Sequence, residues 1–367
     1  MSDFTPAITL SRAMTDPSLF GGTFGGSSFW TWRTVAKLID GLPLTEVREV
    51  DLVKECTGRT QVPTAPVRRV VLLAGRRAGK DRFLSAIAVW RAALCADWCK
   101  YLSAGEQAVV ILLGADKRQA AILRRYCQGL LQPKLLAREI RRVTGDVIEF
   151  RNGSSLEIAT NDVRLVRGRS AIAVLGSECC HWRTDEAAAS SDEEVVGAAE
   201  PSMAMCPDGG LLLLGSSVYR KRGYMFRKWK DLHGADDSED ICWFAPSKTM
   251  NPVLPSLVIA KALAEDRPKA GAEYENVLAR GPERFHSDRC ARKLYRLGRD
   301  RAAAGVRDRL CGVLRRGVRH RHRQLCAGDR ALRPCPRDGD HRRDPRISAA
   351  FRPGQRDRRT GAVIAEL

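Results

Sequence analysis

Residues 74–81 read Ala-Gly-Arg-Arg-Ala-Gly-Lys-Asp: two glycines four positions apart, a lysine directly after the second, and then an acid. Ahead of them, residues 67–74 end in an unbroken Val-Val-Leu-Leu-Ala run that suits a buried parallel strand. Residues 82–96 follow with Phe83, Ile87, Trp90 and Leu94 at helical spacing. A glycine-bounded loop between strand and helix can wrap its N–H groups around phosphate oxygens, and the helix start adds a favourable partial charge. This is the P-loop pattern. Ala74, Gly75, Arg76, Arg77, Ala78, Gly79, Lys80 and Asp81 are therefore the expected phosphate-binding residues, with Lys80 reaching the β- and γ-phosphates of ATP. Two positions depart from the general pattern. Ala74 replaces its first glycine, and Asp81 stands where a Ser or Thr hydroxyl ordinarily touches Mg²⁺. The alternative is an ordinary strand–turn–helix link that happens to contain Gly and Lys.

A phosphate-transfer site needs a second element, an apolar strand ending in carboxylates. Residues 171–178, Ala-Ile-Ala-Val-Leu-Gly-Ser-Glu, supply the strand and one carboxylate. Glu178 is placed to orient and deprotonate the attacking water, while Ser177 occupies the position where an Asp ordinarily holds Mg²⁺. A solvent-facing strand-end acid is the other reading of Glu178. Asp185, Glu186 and the acids at 192–194 read as solvated helix or loop residues. The third element is Leu213-Leu214-Gly215-Ser216-Ser217, a buried strand ending in small hydroxyl residues that can sense a γ-phosphate and relay its loss; Gly-Ser-Ser is also a common loop.

These residues need a scaffold, and the chain alternates strand and helix signals. Beyond the P-loop strand, residues 109–113, 171–175 and 211–214 read as buried strands, and 117–131 as a helix. Asn152-Gly153 between two short apolar runs, 146–150 and 156–159, signals a hairpin. The fold class expected is α/β, a P-loop NTPase domain with a mainly parallel sheet over 61–250. Residues 1–60 read as a lead-in whose 29–42 stretch, with Trp30, Trp32 and Leu38, is an amphipathic helix. Residues 251–280 read as a helical linker. No stretch approaches the roughly 20 apolar residues that cross a bilayer, and no signal peptide is expected. The twelve Cys form no CxxC pair and read as reduced cytosolic thiols.

With the three elements in order, the chain resembles the large subunit of phage terminase, an ATP-driven DNA-packaging motor. Gly75-Arg76-Arg77-x-Gly79-Lys80 is similar to the arginine-bearing P-loop of that family. Ala115-Asp116-Lys117-Arg118-Gln119-Ala120, Val166-Arg167-Gly168, Glu178 with Trp182-Arg183, and Ser216-Ser217 with Tyr219 continue the match. Thr249-Met250-Asn251-Pro252 and Ala272-Glu273-Tyr274 look like the linker that leads into the family's nuclease. The resemblance spans roughly residues 15–280. It implies a RecA-like ATPase that pushes double-stranded DNA into a capsid in the bacterial cytoplasm, using ATP and Mg²⁺. It also implies a portal protein, a terminase small subunit and a homo-oligomeric ring as partners. By the same resemblance Arg76 or Arg77 would stabilise charge on the γ-phosphate, Trp30 and Trp32 would lie where the nucleotide base is contacted, and Ser216 and Ser217 would couple hydrolysis to movement. Asp81 and Ser177 stand at the Mg²⁺ positions.

The net charge of +19 is uneven. Residues 281–367 hold 23 Arg, one Lys and ten Asp or Glu, a net +14, with no Trp or Met and no sustained period. Such a segment cannot easily bury enough apolar surface to offset its ordering entropy, so a poorly folded Arg-rich end is expected. The nuclease that the resemblance implies, with metals held by spaced Asp at strand ends, is not legible there. Two explanations stand: a GC-rich gene read in a shifted frame, which overproduces Arg, Gly, Ala and Pro, or a basic tail that grips phosphate backbones. Three functional readings follow: a motor ATPase, an inactive prophage remnant, and a non-enzymatic basic nucleic-acid-binding protein.

Overall fold

The computed structural model describes residues 4–182, 191–219 and 221–277, all within the unit Met1–Glu283. Eight strands form one sheet: β1 Arg69–Ala74, β2 Ala108–Gly114, β3 Ile140–Thr144, β4 Val147–Phe150, β5 Ser154–Thr160, β6 Ser170–Ser177, β7 Leu211–Ser216 and β8 Ile241–Ala245. Their order is β3-β4-β5-β2-β6-β7-β1-β8. Every pair from β5 to β8 is parallel, and only the β3–β4–β5 end is antiparallel. The fold is therefore α/β with a mostly parallel sheet. The central strands read as continuous aliphatic runs because helices cover both of their faces. On β2 all seven residues are buried.

Twelve helices surround the sheet among the described residues: α1 Leu10–Thr15, α2 Gly21–Phe24, α3 Trp30–Asp40, α4 Val47–Thr57, α5 Lys80–Val89, α6 Lys117–Leu130, α7 Lys134–Glu139, α8 Asp192–Met203, α9 Tyr224–Leu232, α10 Ser247–Met250, α11 Ser256–Glu265 and α12 Arg267–Glu275. One face is filled by α5, whose Phe83, Leu84 and Ile87 are fully buried together with Trp32 and Leu38 of α3. Each such side chain contributes about 2 kcal/mol of transfer free energy. The other face is closed by Val195, Ala199 and Met203 of α8 and by Met225 and Leu232 of α9. The first sixty residues share the core with α5 through Leu10, Met14, Phe24 and Val53.

Three details depart from the sequence expectation. The stretch read as a helical linker is broken into α11 and α12, because Asp266 caps α12 by accepting from Lys269 N and a proline sits in the first turn. Residues 278–280 lie outside the described residues. Residues 90–94 continue α5 as a π-turn, with Cys95 N donating to Trp90 O. The edge strands β3 and β8 were not among the expected strands: β3 carries no apolar run, whereas β8 is one, Ile-Cys-Trp-Phe-Ala.

An ion pair lies beneath the sheet's entry edge. Arg91, 1% exposed, donates from Nη2 to Asp208 Oδ1, and Arg68 Nε lies 3.3 Å from Asp208 Oδ2. The Arg91 guanidinium also sits 4.9 Å from the Trp98 ring centroid. Among the described residues no helix is long and apolar enough to cross a membrane.

Candidate functional site

Strand order decides what meets at the carboxyl edge of the sheet. Strand β7 lies between β1 and β6, and all three run parallel, so their ends deliver Ala74-Gly75, Ser216-Ser217 and Ser177-Glu178 to one place. Open α/β sheets bind ligands at such carboxyl ends.

The loop of residues 75–79 joins β1 to α5. Arg77 has φ 64° and Gly79 φ 102°, the left-handed turns that let consecutive N–H groups curve toward one point. Gly75 is required by close approach: a Cβ there would strike the Ser247 side chain and lie 2.8 Å from Tyr274 O. Lys80, 6% exposed, turns back and donates to Ala74 O at 2.9 Å and Gly75 O at 3.3 Å. Its Nζ stands 3.9 Å from Glu178 Oε1.

Glu178 follows directly on β6 and adopts φ 53°. A left-handed non-glycine residue costs of order 1–3 kcal/mol, and here the turn swings the carboxylate across the end of β7. There Ser216 and Ser217 hydroxyls donate long hydrogen bonds to Glu178 Oε2, 3.4 and 3.5 Å, and His181 Nε2 lies 3.8 Å away. Ser216 also accepts from Cys180 N. The three described non-glycine residues with positive φ are Arg77, Glu178 and Asn276, and all three belong to this site.

Asp81 and Ser177 meet directly. Ser177 Oγ, wholly buried, donates to Asp81 Oδ1 at 2.6 Å, and Gln119 Nε2 donates to Ser177 Oγ at 3.1 Å. Gln119 is fixed in the first turn of α6, where Asp116 Oδ1 accepts from its backbone N–H. Mg²⁺ takes hard oxygen ligands and is commonly held by one or two carboxylates plus substrate phosphates. The Asp81 carboxylate and Ser177 hydroxyl, beside the 75–79 loop, suit that requirement. Among the described residues no group of three or more His, Cys, Asp or Glu gathers into an all-protein metal cage.

The segment after β8 closes over the loop. Ser247 Oγ donates to Arg76 O at 2.6 Å and Asn251 Nδ2 to Arg77 O at 2.9 Å. Arg76 N donates to Glu273 O, and the Arg76 guanidinium pairs with Glu273 Oε2 at 2.9 Å. The hydrogen bond to Glu273, with its charge, holds the Arg76 pKa above its ordinary value. Asn276, 2% exposed, donates from Nδ2 to Leu73 O and Ala245 O, tying the end of α12 to β1 and β8. Asn276→Ala removes two buried hydrogen bonds and places a Cβ-bearing, non-amide residue at φ 54°. It is expected to cost about 2–3 kcal/mol, read as a lower chemical-denaturation midpoint. Asn276→Gly relieves the backbone part and is expected to cost less.

The expected site residues thus divide. Gly75, Gly79, Lys80, Asp81, Ser177, Glu178, Ser216 and Ser217 converge. Arg76 is engaged by Glu273, and Arg77 is exposed with its carbonyl held by Asn251. Trp32 stands elsewhere than the base-contact expectation: it is 1% exposed, its indole N–H donates to Ala78 O at 3.0 Å, and its ring packs 4.7 Å from that of Phe83. It braces the 75–79 loop from within and offers no open face to a base. Trp30 is half-buried under Arg48, whose guanidinium lies 5.0 Å from its ring. Trp32→Phe keeps most of the packing and loses the hydrogen bond, an expected cost of about 1 kcal/mol in thermal unfolding. Gln119, Glu273 and Asn276 were not marked as site residues. Arg183, Asp185, Glu186 and the Arg-rich 281–367 segment lie outside the described residues.

No family model matches the chain, and no curated protein matches it. Among solved structures it is similar to the large terminase ATPase domain of Thermus phage P74-26, with a TM-score of 0.42 and 14% identity, covering 65% of this chain and 95% of that one. It is also similar to the large terminase of bacteriophage HK97, with a TM-score of 0.43 and 16% identity over 63% of this chain and 47% of that chain. The chain therefore spans about half the length of the HK97 protein.

Proposed function

We propose that this protein is an ATP-hydrolysing motor subunit of the terminase large-subunit type, acting on double-stranded DNA. The observation that carries the reading is the pairing of Lys80 Nζ with Glu178 Oε1 at 3.9 Å, at the P-loop and beside the Ser216 and Ser217 hydroxyls. Lys80 rests on two loop carbonyls, and phosphate oxygens of an arriving nucleotide would draw its ammonium away from them. Glu178 then orients a water and takes its proton as the water oxygen bonds to the γ-phosphorus. The bond from that phosphorus to the bridging oxygen breaks, leaving ADP and inorganic phosphate. Arg76 and Arg77 are the cations available to developing phosphoryl charge, Arg76 after exchanging Glu273 for it. Asp81 and Ser177 would hold Mg²⁺, which supplies charge neutralisation to the phosphates when bound. Ser216 and Ser217, touching the Glu178 carboxylate from β7, are the residues that would register γ-phosphate loss. The portal, the small subunit, the ring and the host cytoplasm belong to the same proposal and rest on the sequence resemblance.

The test is phosphate release by the full chain with ATP, Mg²⁺ and linear double-stranded DNA. Turnover that requires both Lys80 and Glu178 is expected. Equal turnover in wild type, Lys80→Ala and Glu178→Ala would remove the motor assignment. Tight ATP binding without turnover in wild type would favour an inactive remnant.

A further inference from the structure

P-loop proteins ordinarily place a hydroxyl on the helix, touching Mg²⁺, and a carboxylate on the neighbouring strand. Here the two residue types are exchanged, with Asp81 in the first turn of α5 and Ser177 at the end of β6. The two are joined by a hydrogen bond of 2.6 Å. The combined reach of the pair is kept, since the longer side chain has moved from strand to helix, and so is its total charge. We propose that the roles are exchanged as well. Asp81 is the direct Mg²⁺ ligand of this protein, and Ser177 and Gln119 are positioning residues that aim it. The proposal rests on the nucleotide-binding reading above.

The donor sequence fixes the direction. Gln119 Nε2 can only donate, so it occupies a lone pair of Ser177 Oγ, and the single Ser177 proton goes to Asp81 Oδ1. One carboxylate oxygen is thereby held, and Asp81 Oδ2 makes no hydrogen bond among the described residues and is left to meet a cation. Ser177 is fully buried with its proton committed to Asp81, which suits an orienting residue. A carboxylate near phosphates is repelled by them unless a cation lies between. The start of α5, with Lys80 one residue before, lowers that repulsion further. Two departures that look like decay when taken singly are, taken as a pair, a compensated substitution.

The experiment uses the full chain, fluorescently labelled ATP to follow nucleotide binding, and Mn²⁺ as a paramagnetic stand-in for Mg²⁺ counted by electron spin resonance. Asp81→Asn keeps the side-chain shape and the acceptor for Ser177 but removes the charge. It is expected to bind metal-free nucleotide more tightly than wild type, because the carboxylate that repels bare phosphates is gone, and to weaken Mn²⁺ in the nucleotide complex by about 10–100-fold. Ser177→Ala, which frees Asp81 to rotate, is expected to weaken Mn²⁺ by about tenfold. Asp81→Thr combined with Ser177→Asp restores the ordinary arrangement and is expected to return Mn²⁺ affinity to within about threefold of wild type. Unchanged Mn²⁺ affinity in Asp81→Asn, or a double variant no better than Asp81→Asn alone, would overturn the exchange while leaving ATP binding intact. A wild-type chain that binds no nucleotide with or without Mn²⁺ would overturn the underlying reading and the exchange with it.

Discussion

Glu178→Gln is expected to slow ATP turnover by about 10²–10⁴-fold while leaving nucleotide affinity within about threefold of wild type. Glutamine matches the volume of glutamate and keeps an oxygen for the Ser216 and Ser217 hydroxyls, so the local packing is retained. It cannot take a proton from water. Glu178 sits in a left-handed turn immediately after β6, a conformation that costs energy and that an ordinary solvated acid at a strand end does not need. Removing its charge beside Lys80 also frees that ammonium for phosphate, so affinity is expected to hold or rise. Single-turnover phosphate release and labelled-nucleotide titration separate the two effects. Wild-type turnover in Glu178→Gln would exclude it as the base.

The second large effect concerns stability. Asp208→Asn is expected to destabilise the fold by about 3–5 kcal/mol, because it strands the buried Arg91 guanidinium without a counter-charge. Both side chains are almost wholly enclosed, 2% and 6% exposed. Burial by itself pushes the Asp208 carboxyl up, but Arg91 and Arg68 outweigh it and hold the group below the usual carboxylate range. A depressed carboxyl contributes stability above its unfolded pKa, about 3.9, and loses it as pH falls through the lower folded value. The gap between wild type and Asp208→Asn in urea unfolding is therefore widest near neutral pH and narrows below about pH 4. A constant gap across that range would mean that packing, and not the ion pair, carries the effect.

The central sheet was legible because strands buried on both faces are written as aliphatic runs, and β1, β2, β6 and β7 are such runs. The edge strand β3 is not. Ile-Arg-Arg-Val-Thr of β3 has only its first residue even half-buried, and its signal lies in pairing with β4. The convergence of Lys80, Glu178 and Ser216 could be expected from motif order, since each motif ends a buried strand. Its geometry depended on β7 lying between β1 and β6, which no local pattern reports. Gln119 was not marked by type, as glutamine is common on solvated helix faces; its cues are its place three residues after the capping Asp116 and within the 115–120 segment that the resemblance covers. Trp32 misled for the opposite reason. An aromatic near a P-loop invites a stacking role, and only the three-dimensional packing shows its indole N–H committed to Ala78 O. Arg91 and Asp208, 117 positions apart, had no sequence signal at all. The break at Asp266 was written in a cap residue and a nearby proline, inside a stretch read only as helical.

The measurement that bears most directly on the account is equilibrium ATP binding by the full chain, wild type against Lys80→Ala, followed by labelled-nucleotide fluorescence. The account predicts saturable binding by wild type that weakens at least about tenfold when the ammonium is removed. Equal affinity in the two proteins would contradict it, because the loop between β1 and α5 would then not be gripping phosphate.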